Sequence, residues 1–324
     1  MNEAIGGYFE LELPPARGEF HHDVRRFQSA RTAFLAALQA SRPPAVWVPW
    51  FLCDAMLEPF AMTGIPVRRY AIDDRFFPAD AAPAPGEWLL YVNYFGLCDR
   101  QVEETLKRFG RDRVVVDNSQ AFFSPHRDSM ATLYSPRKFF GVPDGGYLAT
   151  RLPMSDPPPK DTASATRCLH LLRRVDASPE PAYADFTAAE ASLHGLAPCT
   201  MSALTQRLLS TIDYDGLRAR RAGNFAWLHG ELGRYNRFQF TAAIDVAPLC
   251  YPLQLDAARA ISLRSALREA RIYTPIYWPN VRDDASAPAF ERSLPDTLVP
   301  LPCDHRVTHQ QRRFMAQAII ERLA

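Results

Sequence analysis

Lysine is almost missing from this chain of 324 residues. Only Lys107, Lys138 and Lys160 occur, and arginine carries the remaining side-chain positive charge. An excess of either sign is missing as well. The formal net charge is +1 at pH 7, which leaves no electrostatic footprint for nucleic acid or an anionic membrane surface. No run of about 18 apolar residues occurs, so no membrane-spanning helix is expected. The opening residues MNEAIGGYFELELPP have no basic region followed by a long apolar stretch, so no secretory leader is expected. Six cysteines are present, none in a C-x-x-C pair. A disulfide framework is not expected at this length, and a reducing cytoplasm is the expected compartment. The patterns G-x-G-x-x-G, G-x-S-x-G and the Walker loop are all absent, which excludes a dinucleotide fingerprint and a nucleophile elbow.

What is present is a chain of ordinary globular composition, 47% hydrophobic and 23% charged, long enough to bury a substantial core. YFELEL (residues 8–13) predicts a short extended segment closed by Pro14 and Pro15. FQSARTAFLAALQA (27–40) predicts a helix with Ser29 near its start as a cap. AVWVP (45–49) predicts a buried strand, PVRRYAID (66–73), EWLLYVNYFG (87–96) and DRVVVDNSQAF (112–122) predict further strands, and helices are expected from CDAMLEPFAMTG (53–64) and DRQVEETLKRFG (99–110). ATLYSP and GGYLATR add two strand-like pieces.

Strands written as continuous apolar runs, alternating with helices over short connections, predict an α/β fold. Its mainly parallel sheet is sandwiched by helices. After Leu152 the pattern turns proline-rich, then helical to about Arg234. The rest mixes strand candidates (PLCYPLQL, RIYTPIYW) with helices. The expected division is a large α/β unit with its following helices over residues 1–234 and a small α+β unit over 235–324.

A chain that uses arginine so heavily has a reason to keep Lys138. A guanidinium holds its proton and is a poor nucleophile, whereas an amine can lose its proton and attack a carbonyl. Asp117 follows an apolar run and so stands at the exit of a buried strand, where a carboxylate is costly unless a cation meets it. A protonated pyridine nitrogen meets that requirement. Gln120 offers an amide to a neighbouring oxygen, and Lys138 lies a loop and a returning strand further on. This set suits pyridoxal phosphate, with a lysine imine at one end of the ring and a carboxylate at the other. Its phosphate needs donors, which Ser29, Ala30 and Arg31 at a helix start and the Ser135 hydroxyl supply.

In these residues the chain resembles the fold-type I pyridoxal-phosphate enzymes, and most closely the sugar aminotransferase (DegT/DnrJ/StrS) family. The resemblance runs in order through SARTAFLAAL, VWVPWFLCDAMLEPFAMTGIPVRRYAID, YVNYFG, VVVDNSQAF and YSPRKFFGVPDGGYL, covering residues 29–148. It implies that Lys138 forms the Schiff base with pyridoxal 5'-phosphate and that Asp117 pairs with its ring nitrogen. Gln120 then lies near the phenolic oxygen, and Ala30, Arg31 and Ser135 hold the phosphate. Cys53 occupies the position where the family stacks an aromatic on the ring, with Trp50 and Phe51 as alternative stackers.

Other departures are Asn93 for a strand-end histidine, Leu133 for a serine, and PCTMS (198–202) for the family's N-x-R-M-S. The expected activity is amino transfer from glutamate or glutamine to a keto-sugar or other small carbonyl compound, by a C2 homodimer. Dehydratase or lyase chemistry on the same cofactor, and a non-catalytic protein of this fold, are the alternatives. Cys303, His305 and His309 form one competing cluster. They lack a fourth ligand, and no metal site is expected there.

Overall fold

The central strands form where apolar residues run without alternation, because each is covered on both faces. The computed structural model describes residues 5–154, 157–238 and 247–324. In chain order its first half contains β1 (Arg25–Phe27), α1 (Ala30–Ser41), β2 (Val46–Pro49), α2 (Glu58–Thr63), β3 (Val67–Tyr70), β4 (Trp88–Val92), α3 (Asp99–Phe109), β5 (Val114–Asn118), β6 (Ala131–Tyr134) and β7 (Gly146–Thr150). Every residue of β4 and β5 is buried. The helix ends follow from local chemistry. Ser29 caps α1 by accepting from Thr32 N, and α2 stops at Gly64, whose φ of 68° suits a residue without a side chain. In α3 the buried Val102, Thr105 and Leu106 share one face, and Lys107 and Arg108 sit in the last turn, where the dipole favours cations.

The seven strands make one sheet in the order β1-β7-β6-β5-β4-β2-β3. β3, β2, β4, β5 and β6 are mutually parallel, and β7 runs antiparallel between β6 and β1. β2 lies between β3 and β4, so the chain steps outward from β2 to the edge and then returns to its other side. That reversal is the topological switch point, beside which α/β sheets open a crevice at their C-terminal edge.

The remaining elements are α4 (Leu169–Asp176), α5 (Tyr183–Ala191), α6 (Ala203–Ser210), α7 (Tyr214–Leu232), β8 (Tyr251–Gln254), α8 (Ala257–Glu269), α9 (Asn280–Asp283), α10 (Ala289–Thr297), β9 (Leu298–Leu301) and α11 (His309–Leu323). β8 and β9 pair antiparallel as a small second sheet. One apolar core joins the large sheet to this C-terminal part. A second, largely aromatic core around Phe122, Tyr134, Phe140, Tyr147 and Tyr214 underlies the sheet's β6–β7 side. No helix among the described residues is long and apolar enough to cross a membrane.

One expected element differs. RIYTPIYW forms no strand: Arg271 and Trp278 take left-handed backbone conformations at its ends, with φ of 59° and 50°. The partner of β8 is instead LVPL, where Pro300 faces Pro252. Two residues without an N–H share a non-hydrogen-bonded pair of an antiparallel ladder at no cost to it. YFELEL lies outside every strand, with Tyr8 and Phe9 exposed.

The start of β7 presses on the start of α1. A methyl group on Gly146 would overlap the Ser29 carbonyl carbon and the Ala30 nitrogen. Gly223, inside α7, has nothing within 4 Å of its missing Cβ. Gly146→Ala is therefore expected to destabilise the protein by about 3 kcal/mol, and Gly223→Ala to stabilise it by about 0.5–1 kcal/mol. Urea unfolding of both variants measures the contrast.

Candidate active site

Register places the chemistry along one edge of the sheet. Asp117 lies beside Val92 of β4 and Leu133 of β6, at the C-terminal end of β5. Ser135 leaves the end of β6, Gly145 bridges to Ser29, and Gly145 N donates to the Gln28 carbonyl at 2.7 Å. The end of β6, the start of β7 and the N-terminus of α1 therefore meet beside Asp117. Cys53 follows β2 by four residues, on the flank of the switch-point crevice.

Asp117 is 5% exposed, and its Oδ1 accepts from Ser119 N at 2.8 Å. No ion pair among the described residues includes it. Gln120 is 1% exposed; its Oε1 accepts from Phe95 N at 2.8 Å. Its Nε2 is buried with no acceptor. An amide held by one end, with a free donor at the other, is a fixed hydrogen-bond donor. Asn93 serves the frame instead. It accepts from Cys98 N at 3.0 Å and donates to Asp99 at 2.7 Å and Asn118 at 3.1 Å, tying β4 to β5. Tyr94 and Phe95 are fully buried core residues.

Lys138 closes a single turn of 3₁₀ helix, Pro136–Lys138, and its side chain is exposed. The turn is braced from both sides. Arg221 of α7 donates to the Phe139 carbonyl at 3.3 Å, and its guanidinium lies 4.6 Å from the Phe139 ring centre. Beyond the turn, Asp144 is fully buried and accepts from Ser202 N at 3.2 Å and Ser202 Oγ at 3.1 Å. Burial pushes the Asp144 carboxyl above its ordinary range. These contacts give structural roles to Arg221 and to the serine of PCTMS.

At the α1 end, Ala30 and Ser29 are buried, and Ser135, also buried, makes no cap bond with its hydroxyl. The Arg31 guanidinium is committed elsewhere, to Glu58 at 2.8 Å and the Leu193 carbonyl at 2.9 Å. Arg137 pairs with Glu190. Burial and the neighbouring Arg31 push its pKa down to about 10.

Of the three candidates for the ring face, Phe51 is excluded. It is fully buried, its ring 4.4 Å from Trp278 and stacked with Tyr94. Trp50 carries Arg69 over its ring at 5.3 Å. Cys53 is half-buried and has a free thiol. Among the described residues no three metal-ligating side chains come together. His305 packs against Phe140, and His309 meets Arg312.

Sequence reasoning passed over Asp144 and Glu291. The first stood in plain view before the double glycine. The second gave no signal, because its partners are main-chain N–H groups far away in the chain.

No protein-family model matches this chain, and no curated protein matches it. Solved structures do. Sugar aminotransferase CalS13 from Micromonospora echinospora is 18% identical, with a TM-score of 0.65 over 92% of this chain and 87% of that one. DesV from S. venezuelae, solved in complex with a ketimine intermediate, is 19% identical, with a TM-score of 0.63 over 92% and 84%. NtdA from Bacillus subtilis, solved with bound cofactor PMP, is 15% identical, with a TM-score of 0.66 over 93% and 73%. The chain has the fold of these aminotransferases: a mostly parallel seven-stranded sheet between helices, with a small antiparallel sheet near its C-terminus.

The loop that carries Gln120 is closed from below by His21, whose Nε2 bonds the Phe122 carbonyl at 2.8 Å and whose ring lies 3.9 Å from that of Tyr134. Burial pushes its pKa down from 6.5 to about 4. Unfolded chains therefore take up a proton between those values that folded chains refuse, and stability falls as pH drops through that window. The loss is expected to reach on the order of 3 kcal/mol. His21→Gln keeps an N–H donor and does not titrate, so its acid limb is flatter in urea titrations from pH 7 to 4.

Proposed function

We propose that this chain is a pyridoxal 5'-phosphate-dependent aminotransferase of the sugar aminotransferase kind. It moves an amino group from glutamate or glutamine to a keto-sugar or another small carbonyl substrate. The observation that carries the reading is a buried Asp117 without a cation and a buried Gln120 Nε2 without an acceptor, on the sheet edge that also bears Lys138. Both needs are complementary to a protonated pyridine ring with an oxygen beside it, so the residues fit the group.

Bound there, the cofactor supplies an electron sink for charge developing at the substrate Cα. Asp117 would keep the ring nitrogen protonated, and Gln120 Nε2 would donate to the phenolic oxygen. The main-chain N–H groups of Ala30 and Arg31 and the Ser135 hydroxyl would receive the phosphate at the α1 dipole. The Arg31 side chain, already paired with Glu58, contributes by fixing the first turn. Lys138 would hold the cofactor through its Nζ, and its exposed amine would be the group that moves a proton at the substrate Cα. Cys53 would cover the ring face. Six free cysteines are in keeping with a reducing cytoplasm.

The reading includes a C2 homodimer. None of the residues of α4 is buried, and its Leu169, Leu172 and Val175 project into solvent three residues apart, beside Tyr183 and Phe186 of α5. An apolar stripe of this kind marks a protein contact, and Leu171 of the same helix lies against Gly141, three residues past Lys138. A second copy seated on α4 and α5 adjoins the Lys138 turn.

Purified protein supplied with pyridoxal phosphate is expected to show a visible absorption band that borohydride fixes to the chain. Lys138→Ala loses the band, and its amino transfer falls by at least roughly 10²–10⁴-fold. A wild-type protein that takes up no cofactor would end the reading. Leu172→Asp/Val175→Asp is expected to shift the native mass from dimer to monomer without loss of helical circular dichroism, and a wild-type monomer at micromolar concentration would contradict the dimer.

A further inference from the structure

Glu291 lies in α10, near the far end of the chain, and is 0% exposed. Its Oε2 accepts from Phe51 N at 2.7 Å and its Oε1 from Ile72 N at 3.0 Å. The first donor follows β2 and the second follows β3, so one carboxylate joins two loops at the C-terminal edge of the large sheet. No ion pair among the described residues includes it. Arg69, whose charge acts on Glu291, donates to the Pro49 carbonyl at 2.9 Å and stands over Trp50. Burial, with Asp80 adding to it, pushes the Glu291 pKa up to about 7. A buried acid without a cation is costly, and only a two-oxygen acceptor satisfies both N–H groups at once.

The neighbouring contacts converge on the same turn. The Phe51 carbonyl accepts from Tyr94 OH at 2.9 Å, the Phe51 ring meets Trp278, and Asn280 Nδ2 donates to Asp54 Oδ1 at 2.7 Å. Residues 278–291 thus grip Phe51 and Asp54, on either side of Cys53. We infer that Glu291 is a positioning residue for the candidate site. By holding the Phe51 and Ile72 N–H groups it fixes the turn that carries Cys53, and so sets how closely that turn covers the cofactor. The inference rests, for its bearing on the cofactor, on the reading of Cys53 given above; the fixing of the turn is independent of it.

The test uses the full-length protein and Glu291→Gln, which keeps the volume but sets an NH₂ group against one of the two N–H donors. Iodoacetamide alkylation is followed site by site by mass spectrometry, with buried Cys98, Cys250 and Cys303 as internal monitors of unfolding. Cys53 is expected to react about tenfold or more faster in the variant while those three stay protected, and added pyridoxal phosphate to bind about tenfold more weakly, the scale of effect that misplacing a positioning group has. A Cys53 rate within twofold of wild type, or one that rises only in step with the three buried thiols, overturns the inference. Glu291→Asp, one methylene shorter, gives the same readout where the Gln variant fails to accumulate. If wild type shows no band fixed by borohydride and yet the Cys53 rate responds, the fixing of the turn stands and the cofactor reading falls.

Discussion

Five parallel strands must all end on one edge, and everything chemical in this chain follows from that constraint. The strands of a parallel sheet cannot be joined by hairpins, so each is followed by a crossover. The residues leaving each strand C-terminus are therefore thrown together although they are far apart in sequence. Cys53 leaves β2, Asn93 leaves β4, Asp117 ends β5 and Ser135 leaves β6. β7 then turns back antiparallel, bringing Gly145 and Gly146 onto the start of α1. The close approach at Gly146 sets α1's N-terminal N–H groups against the same edge.

Much of this was legible in the sequence, for reasons that can be named. β4 and β5 are uninterrupted apolar runs, and burial on both faces writes itself directly into composition. The start of α1 was marked by Ser29, and the structure uses that hydroxyl as the cap. Asp117 was conspicuous as the first charge after three valines, and Lys138 as a rare amine among arginines. What was not legible depends on distant partners. RIYTPIYW has strand composition, but left-handed conformations at Arg271 and Trp278 take it out of the sheet. LVPL was hidden by Pro300, harmless because its opposite is also proline. Glu291 has the same cause: its partners are main-chain groups more than 200 residues away, and a main-chain N–H has no letter in the sequence.

One departure from the resemblance, Asn93, and several residues near the candidate site are given over to local structure. Asn93 uses its carbonyl and amide to bind the ends of β4 and β5 to the start of α3. Ser202 both caps α6 and anchors Asp144. Arg221 and Asn224 reach in opposite directions from one face of α7. Arg221 holds the Phe139 carbonyl, and Asn224 holds the carbonyls of Asp304 and Val307. The Lys138 turn is thereby fixed to a long helix that also carries the C-terminal segment.

Near the candidate site the two kinds of cation divide the work by their chemistry. Arg31, Arg137 and Arg221 each engage a carboxylate or a carbonyl with a planar, permanently charged fork, which makes them good struts and poor nucleophiles. They are already occupied, so they do not compete for the Asp117 carboxylate. Lys138 is the exception: its amine is compact, and its side chain is exposed with no carboxylate partner among the described residues. Among the described residues this sheet edge thus keeps its arginines bound and leaves its lysine without a carboxylate partner. The unpaired carboxylate and the unpaired amide donor across that edge are the complement that a charged, oxygen-bearing ring would fill.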